Sequence, residues 1–107
     1  MFHIYQKGNG NIAYTLELEK SFRLEEVRLH LSAAVAQTFT VTINSAQGSE
    51  YNAVLNSQDM TSATDEIFIP TRPEDIAAGD KLAFALTNTA EAWGLEIIYR
   101  GSDYTGA

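Results

Sequence analysis

The sequence predicts an all-β protein, a single antiparallel β-sandwich of jelly-roll type with about eight strands. Apolar and polar residues alternate with a period of two in most segments between Phe2 and Arg100, which places one set of side chains on a buried face. Turn residues separate the segments at the spacing typical of sandwiches and small barrels. Segment 32–37 has a helical composition but is too short to anchor a helical layer. The alternation predicts a core that contains Leu29, Phe39, Val41, Leu82, Phe84, Leu95 and Ile97.

Length and composition limit the class of protein. A chain of 107 residues has the size of one domain, so we assign residues 1–107 to one unit and expect 101–107 to be a flexible or docking tail. Cysteine is absent, which excludes disulfides, thiolate zinc sites and a cysteine nucleophile. No apolar run approaches the roughly 18 residues that span a bilayer. We therefore expect no membrane partner, and synthesis in a cytoplasm.

The charge balance bears on partners. Fourteen acidic and seven basic residues leave a formal net charge of −7, and the basic residues are scattered along the chain. This average field repels a polyanion. We therefore expect no nucleic-acid partner.

The first two alternating segments, Phe2–Gln6 and Ile12–Glu19, lie on either side of Asn9 and Gly10. Asn-Gly readily adopts the positive φ angles of tight turns between twisted strands. The pattern predicts a β-hairpin.

The next segment, Phe22–Ser32, changes parity within itself. Phe22 and Leu24 share one parity, and Val27 begins the opposite one, with two adjacent charges, Glu25 and Glu26, at the change. Two adjacent charges cannot both face a core. A β-bulge at this point would let both halves bury their apolar residues on one face.

A second hairpin is predicted from Thr38–Asn44 and Tyr51–Ser57 across the turn 45–49. The polar stretch Asn56–Glu66 predicts the longest loop of the chain. A short strand follows at Ile67–Ile69 and ends at a proline.

The last third of the chain predicts one helical turn and one hairpin. Thr71 and Glu74 have the spacing of a capping box, and Gly79 suits the left-handed residue that closes a helical turn. Segments Lys81–Asn88 and Trp93–Arg100 then alternate on either side of a short turn, which predicts the final hairpin.

No catalytic or metal-binding pattern is visible. His3 and His30 have outward parity on predicted strands, and no nucleophile turn of the Gly-x-Ser-x-Gly type occurs. We therefore predict that the protein is not an enzyme and has no cofactor or metal. The acidic residues of the predicted loops lack the Asp-x-Asp-x-Asp-Gly spacing of a calcium loop; they are Asp59, Asp65, Glu66, Glu74, Asp75 and Asp80.

Aromatic residues could form a platform for sugar rings. Tyr14, Trp93 and Tyr99 share the parity of apolar neighbours, which predicts that they pack in the core. Tyr5 and Tyr104 are free to reach solvent or a partner. No row of aromatics is evident in the sequence.

Association is suggested by an edge-forming segment, by a stripe of small residues and by the C-terminal tail. The segment Phe2–Tyr5 is rich in strand-forming residues and predicts an edge strand, which must be covered, paired or shared. Small residues at alternate positions of a later strand would let another layer approach closely. The predicted partner-binding residues are Phe2, His3, Ile4, Tyr5, Ala83, Ala85 and Tyr104.

Part of the sequence resembles a known class of sandwich proteins. Segments 75–80 (DIAAGD), 82–88 (LAFALTN) and 93–99 (WGLEIIY) resemble the closing strands of small jelly rolls. With Phe22–Leu31 and Phe39–Leu55 added, the chain resembles small accessory proteins of tailed-phage virions, such as capsid decoration proteins. The resemblance implies action through surfaces rather than through a catalytic set.

We therefore expect a structural protein of the virion, made in the host cytoplasm, that binds capsid subunits and other virion proteins and forms homo-oligomers. The alternative is a carbohydrate-binding module or a tail-associated receptor-binding domain; an enzyme comes third. A carbohydrate-binding module predicts exposed aromatics in a groove. A decoration protein predicts ends or one face buried against neighbours.

Overall fold

The computed structural model describes residues 1–71, 74–88 and 90–101. Within these ranges the chain forms one 3-10 turn, Ser49–Tyr51, and nine strands. The strands are β1 (Phe2–Asn9), β2 (Ile12–Glu17), β3 (Phe22–Leu31), β4 (Thr38–Asn44), β5 (Ala53–Asp59), β6 (Asp65–Phe68), β7 (Glu74–Ile76), β8 (Lys81–Leu86) and β9 (Ala92–Arg100).

The strands form two antiparallel sheets that enclose one hydrophobic core. Sheet A has the order β1-β9-β3-β6, with β7 also paired to β3, and sheet B has the order β2-β8-β4-β5. The seven predicted core side chains are all buried, each at most 2% exposed. Tyr14, Trp93 and Tyr99 are partly buried and pack against this core. The predicted β-sandwich is confirmed.

β3 contains the predicted bulge. Its pairing with β9 changes register between Leu24 and Glu26. The extra residue allows Leu24 and Val27 to be buried on the same side although their parity differs. Glu25 and Glu26 form ion pairs with Arg100 and Arg28, so the charges at the bulge are compensated outside the core.

Two of the three predicted hairpins are wrong, because their strands lie in different sheets. β1 pairs with β9, and β2 pairs with β8. Gly10 has φ 83°, so the Asn-Gly signal does mark a reversal, but the reversal carries the chain to the opposite sheet. The middle hairpin, formed by β4 and β5 around Ser49–Tyr51, is confirmed.

The predicted loop 56–66 is shorter in the structure, where it spans residues 60–64. Met60 anchors this loop, because its side chain is fully buried. Its carbonyl oxygen accepts from the Val35 N–H at 3.1 Å, and its N–H donates to the Gln37 carbonyl oxygen at 2.9 Å. One apolar residue in a polar stretch therefore ties two loops together.

The predicted helical turn that begins at Thr71 is wrong. Glu74–Ile76 is strand β7, paired with Phe22–Leu24 of β3. Burial of Ile76 in the core outweighs the local capping signal, because tertiary packing routinely overrides propensity. Gly79 does adopt a positive φ, 88°, in the turn before β8.

Candidate functional site

The first candidate surface is the free edge of sheet A. β1 pairs with β9 through eight consecutive residues without a register shift, and it has no second neighbour among the described strands. Phe2 and Tyr5 are 54% and 70% exposed, and His3 is also exposed, whereas Ile4 is half-buried against the core. Four of the seven predicted partner-binding residues thus lie together on this edge strand.

The alanines of the predicted interface lie elsewhere. Ala83 and Ala85 are on β8, in the middle of sheet B, so the structure does not bring them near Phe2–Tyr5. Their neighbours on the outer face are Thr15 and Thr42 beside Ala83, and residues 13 and 40 beside Ala85. This part of the outer face of sheet B therefore carries only small, uncharged side chains. Residue 104, the remaining predicted site residue, lies outside the described residues.

A second candidate surface, which sequence reasoning missed, is a groove on the outer face of sheet A. Gly94 of β9 lies opposite Lys7 of β1 on one side and His30 of β3 on the other. Because glycine has no side chain, the space above β9 is open at this point. A groove of about 760 Å³ results, and Tyr5 and Ile67 are the apolar side chains on its two outer strands.

A network of polar groups runs beside the groove and centres on Glu96. The carboxylate accepts from Nδ1 of His3 at 2.8 Å, and Nη1 of Arg28 lies 3.5 Å from its other oxygen. Arg28 also pairs with Glu26. The hydrogen bond from His3 holds the pKa of the Glu96 carboxyl below its ordinary value, with smaller contributions from Tyr5 and Arg28.

Glu96 also holds the hydroxyl of Tyr5. The hydrogen bond from Tyr5 to this carboxylate raises the pKa of the Tyr5 hydroxyl. The ring of Tyr5 remains exposed. An exposed aromatic ring can offer a flat apolar contact surface to a ligand.

His30 and Asp65 form the second polar pair of the groove. Nδ1 of His30 donates to Oδ1 of Asp65 at 2.6 Å, and Thr64 donates to Oδ2 at 2.9 Å. These hydrogen bonds, first that from His30, lower the pKa of the Asp65 carboxyl. Both histidines face outward as predicted, and each is paired with a carboxylate.

The described residues contain no group of three or more histidine, cysteine or acidic side chains arranged to hold a metal ion. Within the same ranges no helix is long and apolar enough to cross a bilayer. No protein-family model and no curated protein matches the chain.

Proposed function

We propose that the protein is a structural component of a tailed-phage virion, a capsid decoration or accessory protein that acts by burying surface against capsid subunits and other copies of itself. The observation that carries the proposal is the unprotected edge of β1. An exposed strand edge presents unpaired N–H and C=O groups that another chain can satisfy.

β1 lacks the devices that usually protect a sheet edge, which are short strands, bulges, prolines and inward charges. It is eight residues long, contains no proline, and pairs in one continuous register. Lys7 is its one lysine or arginine residue. The opposite edge of sheet A is divided between β6 and β7, with four and three residues, and the pairing of β5 in sheet B is interrupted by a register shift.

The exposed side chains of β1 strengthen this interpretation. Phe2 stacks on Tyr99 with ring centroids 5.3 Å apart, and His3 stacks on Tyr5 at 6.1 Å. These contacts hold the rings of Phe2 and Tyr5, although the two residues are 54% and 70% exposed, so little side-chain entropy would be lost when a neighbour covers them. Aromatic residues are enriched in interface cores.

We also infer that the sandwich is a jelly roll. The pairs β1·β9, β2·β8, β3·β7 and β4·β5 are nested, as in one long hairpin. Pairing of β3 with β9 and of β4 with β8 then joins these pairs side by side. A long hairpin rolled into two sheets has this strand order, which supports the resemblance to jelly-roll accessory proteins.

The test separates association from folding. A double variant, Phe2→Lys with Tyr5→Lys, places charge on the edge, and Tyr51→Lys with Val54→Lys is its matched control, because these side chains are 67% and 63% exposed elsewhere. Co-sedimentation with capsids of the phage that encodes the chain, and sedimentation velocity of the isolated protein, are measured beside a thermal melt.

We expect the edge variant to lose capsid binding or self-association at least tenfold with little change in melting temperature, and the control to behave as the parent protein. Equal behaviour of both variants would place the interface outside β1. Absence of capsid binding by the parent protein would overturn the virion assignment.

A further inference from the structure

We propose that the groove above Gly94 is a binding site for a neutral oligosaccharide, in addition to the association surface of β1. The starting point is the glycine itself. Glycine in a strand interior costs stability, and it is retained where φ must be positive, where the chain is crowded, or where a ligand approaches the backbone closely.

Neither a positive φ nor crowding explains the glycine at position 94. Among the described residues only Gly10, Gly48 and Gly79 have positive φ. A Cβ atom added at Gly94 would have no neighbouring atom within 4 Å, whereas one added at Gly8 would lie 3.1 Å from the ring of Trp93. Packing against Trp93 therefore explains the glycine at position 8. The glycine at position 94 is explained instead by the open space that it leaves on the outer face of sheet A.

The walls of this space suit a ring-shaped ligand. Tyr5 and Arg28 lie on either side of Glu96, and Ile67 lies beyond Arg28, in one row across the four strands β1, β9, β3 and β6. The exposed Tyr5 ring can stack on the apolar face of a sugar, and Ile67, 60% exposed, provides a second apolar contact. The groove is open to solvent, so a longer saccharide could continue past it.

The charges of the groove favour an uncharged ligand. Lys7 and Arg28 balance Asp65 and Glu96 among the lining residues that the structure describes. A polyanion would meet two carboxylates as well as a protein of net charge −7.

The hydrogen-bonding groups are those that sugar hydroxyls require. Lys7 forms no ion pair with the described residues, and Nδ1 of His30 is bound to Asp65, which leaves Nε2 for a ligand. The carboxylates of Asp65 and Glu96 are fixed by neighbours, so acceptors and donors are oriented before a ligand arrives. A few oriented polar groups beside apolar contacts are typical of small-ligand sites.

The test uses the open space above Gly94. Gly94→Val places a branched side chain in the groove, where its Cβ would have no neighbouring atom within 4 Å, and Ala85→Val, on the outer face of sheet B, is the matched control. Each ¹⁵N-labelled protein is titrated with cellohexaose, maltohexaose and mannohexaose, and with a heparin hexasaccharide as the charged comparison, while amide chemical shifts are followed.

We expect at least one neutral hexasaccharide to shift the amide signals of Lys7, His30 and Gly94 in the parent protein and in Ala85→Val. Gly94→Val should weaken that binding at least tenfold with an equal or higher melting temperature. The proposal is overturned if no neutral hexasaccharide shifts these signals, if only heparin does, or if Gly94→Val binds as the parent does. Tyr5 belongs both to the edge surface of β1 and to the groove. Gly94→Val keeps Phe2 and Tyr5 in place, so its capsid association, measured beside the titration, reports separately on the edge of β1.

Discussion

The side-chain nitrogen of Asn88 donates to the carbonyl oxygen of Gly10 at 2.8 Å, across 78 positions of the chain. The same amide donates to the carbonyl oxygen of Glu91 at 2.8 Å and accepts from its N–H at 3.1 Å. Gly10 and Glu91 belong to the two connections that cross between the sheets, β1 to β2 and β8 to β9. Asn88, 4% exposed, therefore ties together two crossings that resemble hairpin turns in the sequence.

Replacing Asn88 with alanine should destabilise the protein by about 2–3 kcal/mol, because the part-buried carbonyl oxygen of Gly10 loses its donor and the Glu91 N–H loses its acceptor. Chemical denaturation measures the loss. Asn44→Ala is the control, since Asn44 is exposed, and its effect should stay within about 0.5 kcal/mol. Similar losses in both variants would mean that the bridge does not stabilise the crossings.

Phe84→Ala should cost about 3–5 kcal/mol, the usual range for removal of a buried phenylalanine. Phe84 is 1% exposed and contacts the ring of Tyr14 at a centroid distance of 6.1 Å. Urea denaturation with a constant m-value gives the difference. Phe2→Ala should cost much less, because more than half of that side chain is exposed; a loss below 1 kcal/mol for Phe84→Ala would place this residue on the wrong face of β8.

Gly8 of β1 lies opposite Trp93, and Gly94 of β9 lies opposite Lys7. Substitution by alanine should have opposite effects on stability at the two glycines. Gly8→Ala should destabilise by about 1–3 kcal/mol, because its Cβ would lie 3.1 Å from Cζ2 of Trp93. Gly94→Ala should be neutral or stabilise by up to about 1 kcal/mol, because a strand glycine is replaced where space is open. Thermal melts of the two variants measure these effects. A larger loss of stability for Gly94→Ala than for Gly8→Ala would contradict the assignment of Gly8 to the inner face and Gly94 to the outer face of sheet A.

The pairing of Asp65 with His30 predicts that the stability of the protein decreases at low pH. The folded-state pKa of Asp65 is lowered, so the folded protein binds this proton more weakly than the unfolded chain does. Its contribution to stability is therefore present above the unfolded value of about 3.9 and is lost as pH falls through the folded pKa. His30→Ala should raise the Asp65 pKa toward its ordinary value, as measured by NMR titration of the carboxyl carbon.

Asp59 is the internal reference for that titration. Its pKa is lowered by hydrogen bonds from Thr61 rather than from a histidine, so it should not change in His30→Ala. If the Asp65 pKa stayed low in the variant, the hydrogen bond from Thr64, and not the one from His30, would be its main cause.

The residue pattern by itself determined the fold class, the core and the bulge. Alternation identifies inward positions such as Phe39 and Leu95 without knowledge of their partners, since a strand with one buried face repeats every two residues. The parity change at Glu25 and Glu26 has the same local origin. For the same reason Tyr5 could be recognised as an outward residue of an edge-forming segment.

Only the tertiary structure decided which strands pair. Asn-Gly marks a reversal at Gly10 but carries no information about whether the chain stays in its sheet or crosses. Burial of the core and the bridge made by Asn88 select the crossing, and both depend on residues distant in sequence. The groove has the same character: Lys7, His30 and Gly94 come from three strands, and their side chains become neighbours only when β1 and β3 pair on either side of β9.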